Sequence, residues 1–223
     1  MTSRPTLHVG NKNYSSWSLR PWLVLRWAGI AFDEHLIPLG GEGYGKSAIP
    51  GVVAVSPSGR VPALTLGDRL TLWDSLAITE WAAERGPVWP ADPTRRALAR
   101  CASAEMHSSF SALRRDLGMN IRRRTPDITA HLPGDTLADL ARLRDLVADL
   151  HARFGGPWLL GERSAADAFY APVATRLRTY GIPLSRPLAR WSEVLLADGD
   201  FRAWEADAIA EPQTIDDAEA LWR

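Results

Sequence analysis

The sequence predicts two units in series, a small mixed α/β unit followed by an all-helical one. Three observations carry this. Strand-like stretches occur only before residue 86. Two of them, "PALTL" and "RLTLW", follow each other across a tight Gly67-Asp68 turn and so run antiparallel, whereas the first two flank a helical stretch and need a parallel crossover. Beyond "PVWPADP" (Pro87–Pro93), a stiff segment with three prolines in seven residues, only helical spacing remains. The expected boundaries are 1–86 for the mixed unit, 87–93 for the linker and 94–223 for the helical unit.

The elements follow in order. "TLHVG" (Thr6–Gly10) reads as a short strand. "SWSLRPWLVLRWAG" is a helix with Leu19, Trp22, Leu23, Leu25 and Trp27 on its apolar face and Gly29 as its C-terminal stop. Pro21 is expected within its first turn, where a missing N–H costs nothing. A strand over Phe32–Pro38, a loop over Leu39–Arg60 and the antiparallel pair lead to the helix "DSLAITEWAAERG", stopped by Gly86.

In the second half, Leu98, Ala102, Met106, Phe110 and Leu113 recur at helical spacing, as do Leu140, Leu143, Val147, Leu150 and Phe154. Asp135 and Thr136 supply N-cap chemistry for the second series, and Gly155-Gly156 close it. "SAADAFYAPVATRL" opens on Ser164-x-x-Asp167, a capping box with Asp in the usual Glu place. Amphipathic segments around Leu188–Ala197 and Phe201–Ile209 complete the chain.

Composition excludes several classes. A formal net charge of zero removes the bulk attraction for nucleic acid or an anionic membrane. One cysteine, Cys101, rules out an internal disulfide framework, and its helical setting suggests buried filler. The five histidines form no H-x-H or H-x-x-x-H pair, so no metal site is expected. No apolar run reaches membrane-spanning length and no signal region opens the chain, which points to a soluble cytoplasmic protein.

"GGEGYGKS" (Gly40–Ser47) fits G-x-x-x-x-G-K-[ST], the phosphate loop of nucleotide hydrolases. That loop works only where a helix starts at its lysine. Here Pro50-Gly51 follow three residues after Ser47, with Pro57 and Pro62 beyond, so a helix running on from Lys46 is not expected. A Gly-rich surface loop is the reading, and a nucleotide hydrolase is kept only as a remote alternative.

Four stretches in this order resemble cytosolic glutathione transferases: "NYSSWSLRPW", "SPSGRVPAL", "LWDSLAITEW" and "GERSAADAFYAPV". The resemblance covers nearly the whole chain and is greatest to bacterial serine-type members of the zeta class, more loosely theta. It implies a thioredoxin-like N-terminal domain with a mixed four-stranded sheet and helices, an all-helical C-terminal domain, glutathione as co-substrate, a small electrophile as second substrate, and a homodimer.

The resemblance assigns residues. Val61-Pro62 is similar to the family's residue-plus-cis-proline pair, whose preceding N–H and C=O pair with the cysteine of glutathione as an added strand does. Read alone, Pro62 equally suits the start of an edge strand. Asp74-Ser75 resembles the pair that meets the γ-glutamyl end: Ser75 at a helix N-terminus suits the carboxylate, and Asp74 the ammonium. Both are also good N-cap residues. Ser15, with Ser16 as its rival, falls at the thiol-activating position, although either serine also suits a plain cap. Lys46, Ser47 or Arg60 are the candidates for the glycine carboxylate.

The second-substrate candidates are Trp17, Asp116, Asn120 and Arg122. Arg122–Arg124 read either as a solvated face or as attractors of an acidic electrophile. Zeta relatives isomerise small cis-dienoic acids such as maleylacetoacetate; other relatives conjugate or dehalogenate. A non-catalytic glutathione- or protein-binding module of the same fold is the second function class, since fold is not function.

Overall fold

The computed structural model describes residues 4–67 and 70–222. The first unit runs β1 (Thr6–Gly10), α1 (Ser16–Trp27), β2 (Asp33–Ile37), α2 (Pro50–Val53), β3 (Ala63–Leu66), β4 (Leu70–Trp73) and α3 (Ser75–Ala83). The four strands form one sheet in the order β2-β1-β3-β4, with β1 and β2 parallel and the other pairs antiparallel. This is the thioredoxin-like arrangement. Residues Asp68 and Arg69 of the tight turn lie outside the described residues.

Period-two alternation sorts the sheet's faces. Leu7, Val9 and Leu64 are fully buried in a core shared with Leu19, Leu23 and Ile78. The opposite face is polar at its centre. His8 pairs in register with His35, their Nδ1 atoms 2.9 Å apart, and His8 Nε2 lies 2.9 Å from Thr65 Oγ1.

The second unit holds α4 (Pro93–Ser108), α5 (Ser111–Asp116), a 3₁₀ turn (Thr129–His131), α6 (Gly134–Phe154), α7 (Ala165–Thr179), α8 (Arg186–Ala197), α9 (Gly199–Ala210) and α10 (Asp216–Ala220). α7 is its axis. Every residue from Ala165 to Leu177 is buried, as suits a helix with neighbours all round. It packs against α1, α4 and α8, so α1 serves both cores. Asp167 anchors the start of α7: its carboxylate accepts from the amides of Leu159 and Ser164 and from Trp191 Nε1 at 2.9–3.0 Å. Complete burial pushes its pKa up to about 6.

Several expectations are corrected. Pro21 is the sixth residue of α1, not part of its first turn, and it removes the bond to the Trp17 carbonyl; packing against α3, α7 and α9 holds the helix regardless. The Leu39–Arg60 stretch contains the one-turn helix α2, with Pro50 at its first position. The apolar series through Phe110 is two helices: Phe110 adopts a left-handed conformation (φ 57°) that breaks α4 from α5. α6 begins at Gly134, so Asp135 lies inside its first turn rather than capping it. Cys101 is exposed on α4, not buried filler. α10, which packs back toward the first unit, was not foreseen.

Candidate active site

Three loops of the first unit converge on one cavity of about 810 Å³. The first is Asn11–Ser15, between β1 and α1. It is folded on itself, with the Tyr14 and Ser15 amides both donating to the Asn11 carbonyl at 3.0 and 2.8 Å. It is also held from outside. The Lys12 amide donates to Glu211, Lys12 Nζ pairs with Glu34 and Asp207 at 2.7 and 2.6 Å, and Trp204 Nε1 donates to the Lys12 carbonyl at 3.0 Å. Tyr14 OH donates to Glu219 at 2.6 Å. Burial and that bond keep the phenol neutral, its pKa raised above the ordinary value.

Ser15 ends this loop as the N-cap of α1, its Oγ accepting the Ser18 amide at 3.3 Å. Ser15 and Ser16 are both buried, and both line the cavity.

The second loop carries Val61-Pro62, whose peptide bond is cis. Val61 lies just before β3, and neither its N–H nor its C=O has a protein partner among the described residues. Gly59 fixes the approach to it. At φ 64° a Cβ there would sit 2.1 Å from the Ser47 carbonyl, so only glycine lets the two loops touch. Arg60 Nε donates to Ser47 Oγ at 3.1 Å, and both residues line the cavity. Lys46 is not among the lining residues. The Gly40–Ser47 stretch contains only bends and turns, and no helix starts at Lys46.

The third element is the start of α3. Asp74 stands at φ 80°, a conformation that non-glycine residues rarely adopt and that clusters at functional sites. Its Oδ1 caps the Leu76 amide at 2.7 Å, and its Oδ2 faces His107 Nε2 at 3.3 Å. Ser75 is 1% exposed, lines the cavity, and its Oγ is buried with no partner. An orphaned hydroxyl at a helix N-terminus needs an explanation, and a ligand carboxylate is one that fits.

One wall of the cavity comes from the second unit. His107, near the end of α4, packs edge-on against Trp17 at 5.2 Å. His107, Tyr14 and Tyr44 line the cavity without having been singled out from the sequence. The sequence carries no signal for His107, since the helical series there runs on through Phe110 to Leu113 without a stop.

The remaining candidates lie elsewhere. Asp116 forms a bidentate pair with Arg115 at 2.7 Å and accepts from Thr136, and Arg115 holds its carboxyl below the usual range. Asn120 accepts from Asn13 Nδ2 at 2.9 Å and donates to Glu219 at 2.8 Å. Arg122 donates to the carbonyls of Glu211 and Gln213 and to Tyr14 OH. Asn120 and Arg122 therefore brace the Ser15 loop from behind, and with Arg123, Thr214 and Glu219 they line a separate cavity of about 400 Å³.

Residues 14–85 match the family model described as the glutathione S-transferase N-terminal domain. Over 221 residues the chain is 26% identical to a maleylacetoacetate isomerase from Pseudomonas aeruginosa, covering 93% of this chain and 98% of that one. Among solved structures, a glutathione transferase homolog from Burkholderia gl BGR1 with bound glutathione is 26% identical, with 94% and 100% coverage and a TM-score of 0.70. A glutathione S-transferase from Xylella fastidiosa is also 26% identical, with 92% and 100% coverage and a TM-score of 0.64.

Proposed function

Because this chain belongs to the glutathione S-transferase family, we propose that it binds glutathione in the 810 Å³ cavity and turns its thiol on a small electrophile. The observation that carries the reading is the orphaned Ser75 hydroxyl at the head of α3, in the cavity that the unpaired backbone of Val61 also lines. The Val61 N–H and C=O take the cysteine backbone of glutathione as a strand edge takes a strand. Ser75 takes the γ-glutamyl carboxylate. Asp74, already shared with His107, takes the ammonium. Arg60 meets the glycine carboxylate in preference to Lys46, which the cavity geometry does not favour.

Ser15 supplies the chemistry. A free thiol titrates near ~8.5 and is only a few per cent thiolate at neutral pH. Lowering that by ~1.5 units needs roughly 2 kcal/mol. A hydroxyl donated to an anion contributes ~1.5–3 kcal/mol, and a helix N-terminus ~0.3–1 more. The thiolate then attacks an electrophilic carbon and forms a C–S bond. Loss of a leaving group from that carbon gives conjugation. Rotation about the former double bond and re-expulsion of the thiolate gives isomerisation, a reading favoured by the Pseudomonas aeruginosa relative.

The same reading divides the chain into a glutathione-binding unit over 1–86, a linker over 87–93 and a second-substrate unit over 94–223. It also includes a cytoplasmic location, where glutathione is held reduced, and a homodimer, for which the exposed Leu70 and Trp73 on the edge strand β4 offer an apolar surface. A thermal-shift series with glutathione, S-hexylglutathione and ATP, followed by turnover of an electrophile panel, tests the proposal. Stabilisation by the first two with saturable turnover is expected. Binding without turnover would make the protein a binding module, and stabilisation by ATP alone would sink the reading.

A further inference from the structure

Behind the wall formed by Trp17 and His107 lies a cluster of guanidinium groups whose charge no carboxylate balances in an ion pair among the described residues. Arg20 comes from α1, one turn beyond Ser16, Arg114 from α5 and Arg176 from α7. Arg20 is 1% exposed and Arg176 4%. No carboxylate forms an ion pair with any of the three among the described residues. Arg114 donates to the Met106 and Ser109 carbonyls, and Arg176 to that of Leu117. Nε and Nη1 of Arg20, and Nε of Arg176, are buried with no partner at all.

Aromatic rings stand where anions would be expected. The Arg20 guanidinium lies 4.1 Å from the centre of the Trp17 ring and 5.3 Å from that of Phe169, and Arg114 lies 5.5 Å from Trp17. The acidic groups within reach are already engaged: Asp74 caps α3 and faces His107, and Asp139 holds the Leu113 amide. Burial, then the like charges of Arg114 and Arg176, lower the Arg20 pKa to about 9.

Folding alone gives no reason for this arrangement. An unpaired buried charge is among the costliest features a core can carry, and an apolar side chain of the same length would serve packing better. What a guanidinium offers is a planar fork that matches a carboxylate or sulfonate in two parallel hydrogen bonds. Trp17 is placed to control access: it lines the cavity and covers Arg20, and it is only partly buried. It directly follows Ser16 in the first turn of α1.

We infer that Arg20, assisted by Arg114, forms an anion subsite for the second substrate, opened when Trp17 swings off the Arg20 guanidinium. The ligand class is a small electrophile carrying a fork-shaped anionic group, its reactive carbon left on the cavity side beside Ser15 and Ser16. The inference deepens the glutathione reading, but its binding step does not depend on glutathione.

The test uses two compounds that differ in one charge, 4-chloro-3-nitrobenzoate and 4-chloro-3-nitrobenzamide. Each reacts by forming a C–S bond at the chlorinated carbon and releasing chloride. Calorimetry without glutathione should show at least tenfold tighter binding of the benzoate to the wild type. Arg20→Met should abolish that preference and raise the melting temperature, because an unpaired buried charge is gone. With glutathione, the benzoate-to-amide ratio of kcat/KM should fall at least tenfold in Arg20→Met. Should Arg20→Met not fold, Arg114→Met carries the same comparison, with a smaller loss expected. Equal binding of the two compounds by the wild type, or a preference that survives both substitutions, overturns the subsite. If the benzoate preference in binding persists while neither compound is turned over with glutathione, the subsite stands and the thiol chemistry falls.

Discussion

The Ser15 hydroxyl donates to Ser18 Oγ across 2.8 Å, and the same Ser18 oxygen accepts the Gly10 amide at 3.1 Å. In this arrangement the Ser15 proton points into the protein, away from the cavity. To donate to a thiolate it must turn outward, and Ser18 can then donate its own proton to the oxygen it formerly accepted from. The result is a chain from the Gly10 amide through Ser18 and Ser15 to the sulfur, each bond polarising the next. Ser18, fully buried, is a positioning residue in this scheme. Ser15→Ala should lower turnover on the order of ten- to a hundredfold, the equivalent of ~1.5–3 kcal/mol. Ser18→Ala should lower it less and shift the pH–rate profile and the ultraviolet thiolate absorbance of bound glutathione to higher pH. Glutathione affinity should stay within a few-fold in both. An unshifted profile in Ser18→Ala would show that Ser15 works alone.

Ser75→Ala separates ligand binding from folding. Removing a hydroxyl that donates to a carboxylate should weaken glutathione binding about tenfold or more, from ~1.5–3 kcal/mol. The same change removes a buried, unpaired polar atom, so the ligand-free protein should melt at the same temperature or higher. A lower melting temperature with unchanged affinity would make Ser75 an ordinary structural serine.

Asp167 makes stability depend on pH in a direction unusual for a carboxylate. Its pKa is raised from 3.8 to about 6, so the folded state holds a proton that the unfolded state releases. Its contribution is complete below about pH 4 and is lost as pH rises through 6, roughly 3 kcal/mol in all. Asp167→Asn should flatten that part of a urea-denaturation series between pH 4 and 7. Asp167→Ala strands three buried donors and should cost at least about 3 kcal/mol at any pH.

His8 acts in the opposite direction. Burial, then the neighbouring His35, lowers its pKa below 6.5, so the unfolded state binds the proton more readily. Stability from His8 is present above pH 6.5 and falls as the solution is acidified. His35→Gln should reduce the loss of melting temperature between pH 7 and 5.5. An equal loss in the variant would place the acid sensitivity elsewhere.

Much of this was legible because it is local. Alternation in "TLHVG", the glycine and proline stops and the capping box of Ser164 and Asp167 each depend on a few adjacent residues, and motif order then brought Ser15, Val61 and Ser75 to one cavity. What was missed is long-range. Nothing in the composition of "MHSSFSAL" marks the left-handed Phe110 that ends α4 just beyond His107. Asn120 and Arg122 are polar residues whose partners come from other elements, several of them more than 80 positions away, whereas Asp116 is held by its neighbour Arg115 and by Thr136. Arg20 did leave a trace: a charge within the apolar run "WSLRPWLVL", on a helix buried along most of its length.

The fastening of the Ser15 loop has a consequence for biogenesis. Lys12, Asn13 and Tyr14 find their partners in Trp204, Asp207, Glu211 and Glu219, 192 to 205 positions later in the chain. During synthesis the first unit emerges with Glu34 available to Lys12, but the loop that carries Ser15 still lacks its partners from residues 204–219. Only when residues 204–219 have left the ribosome does that loop acquire its last restraints. The wall of the cavity that holds Ser15 is therefore completed by the last part of the chain to be made.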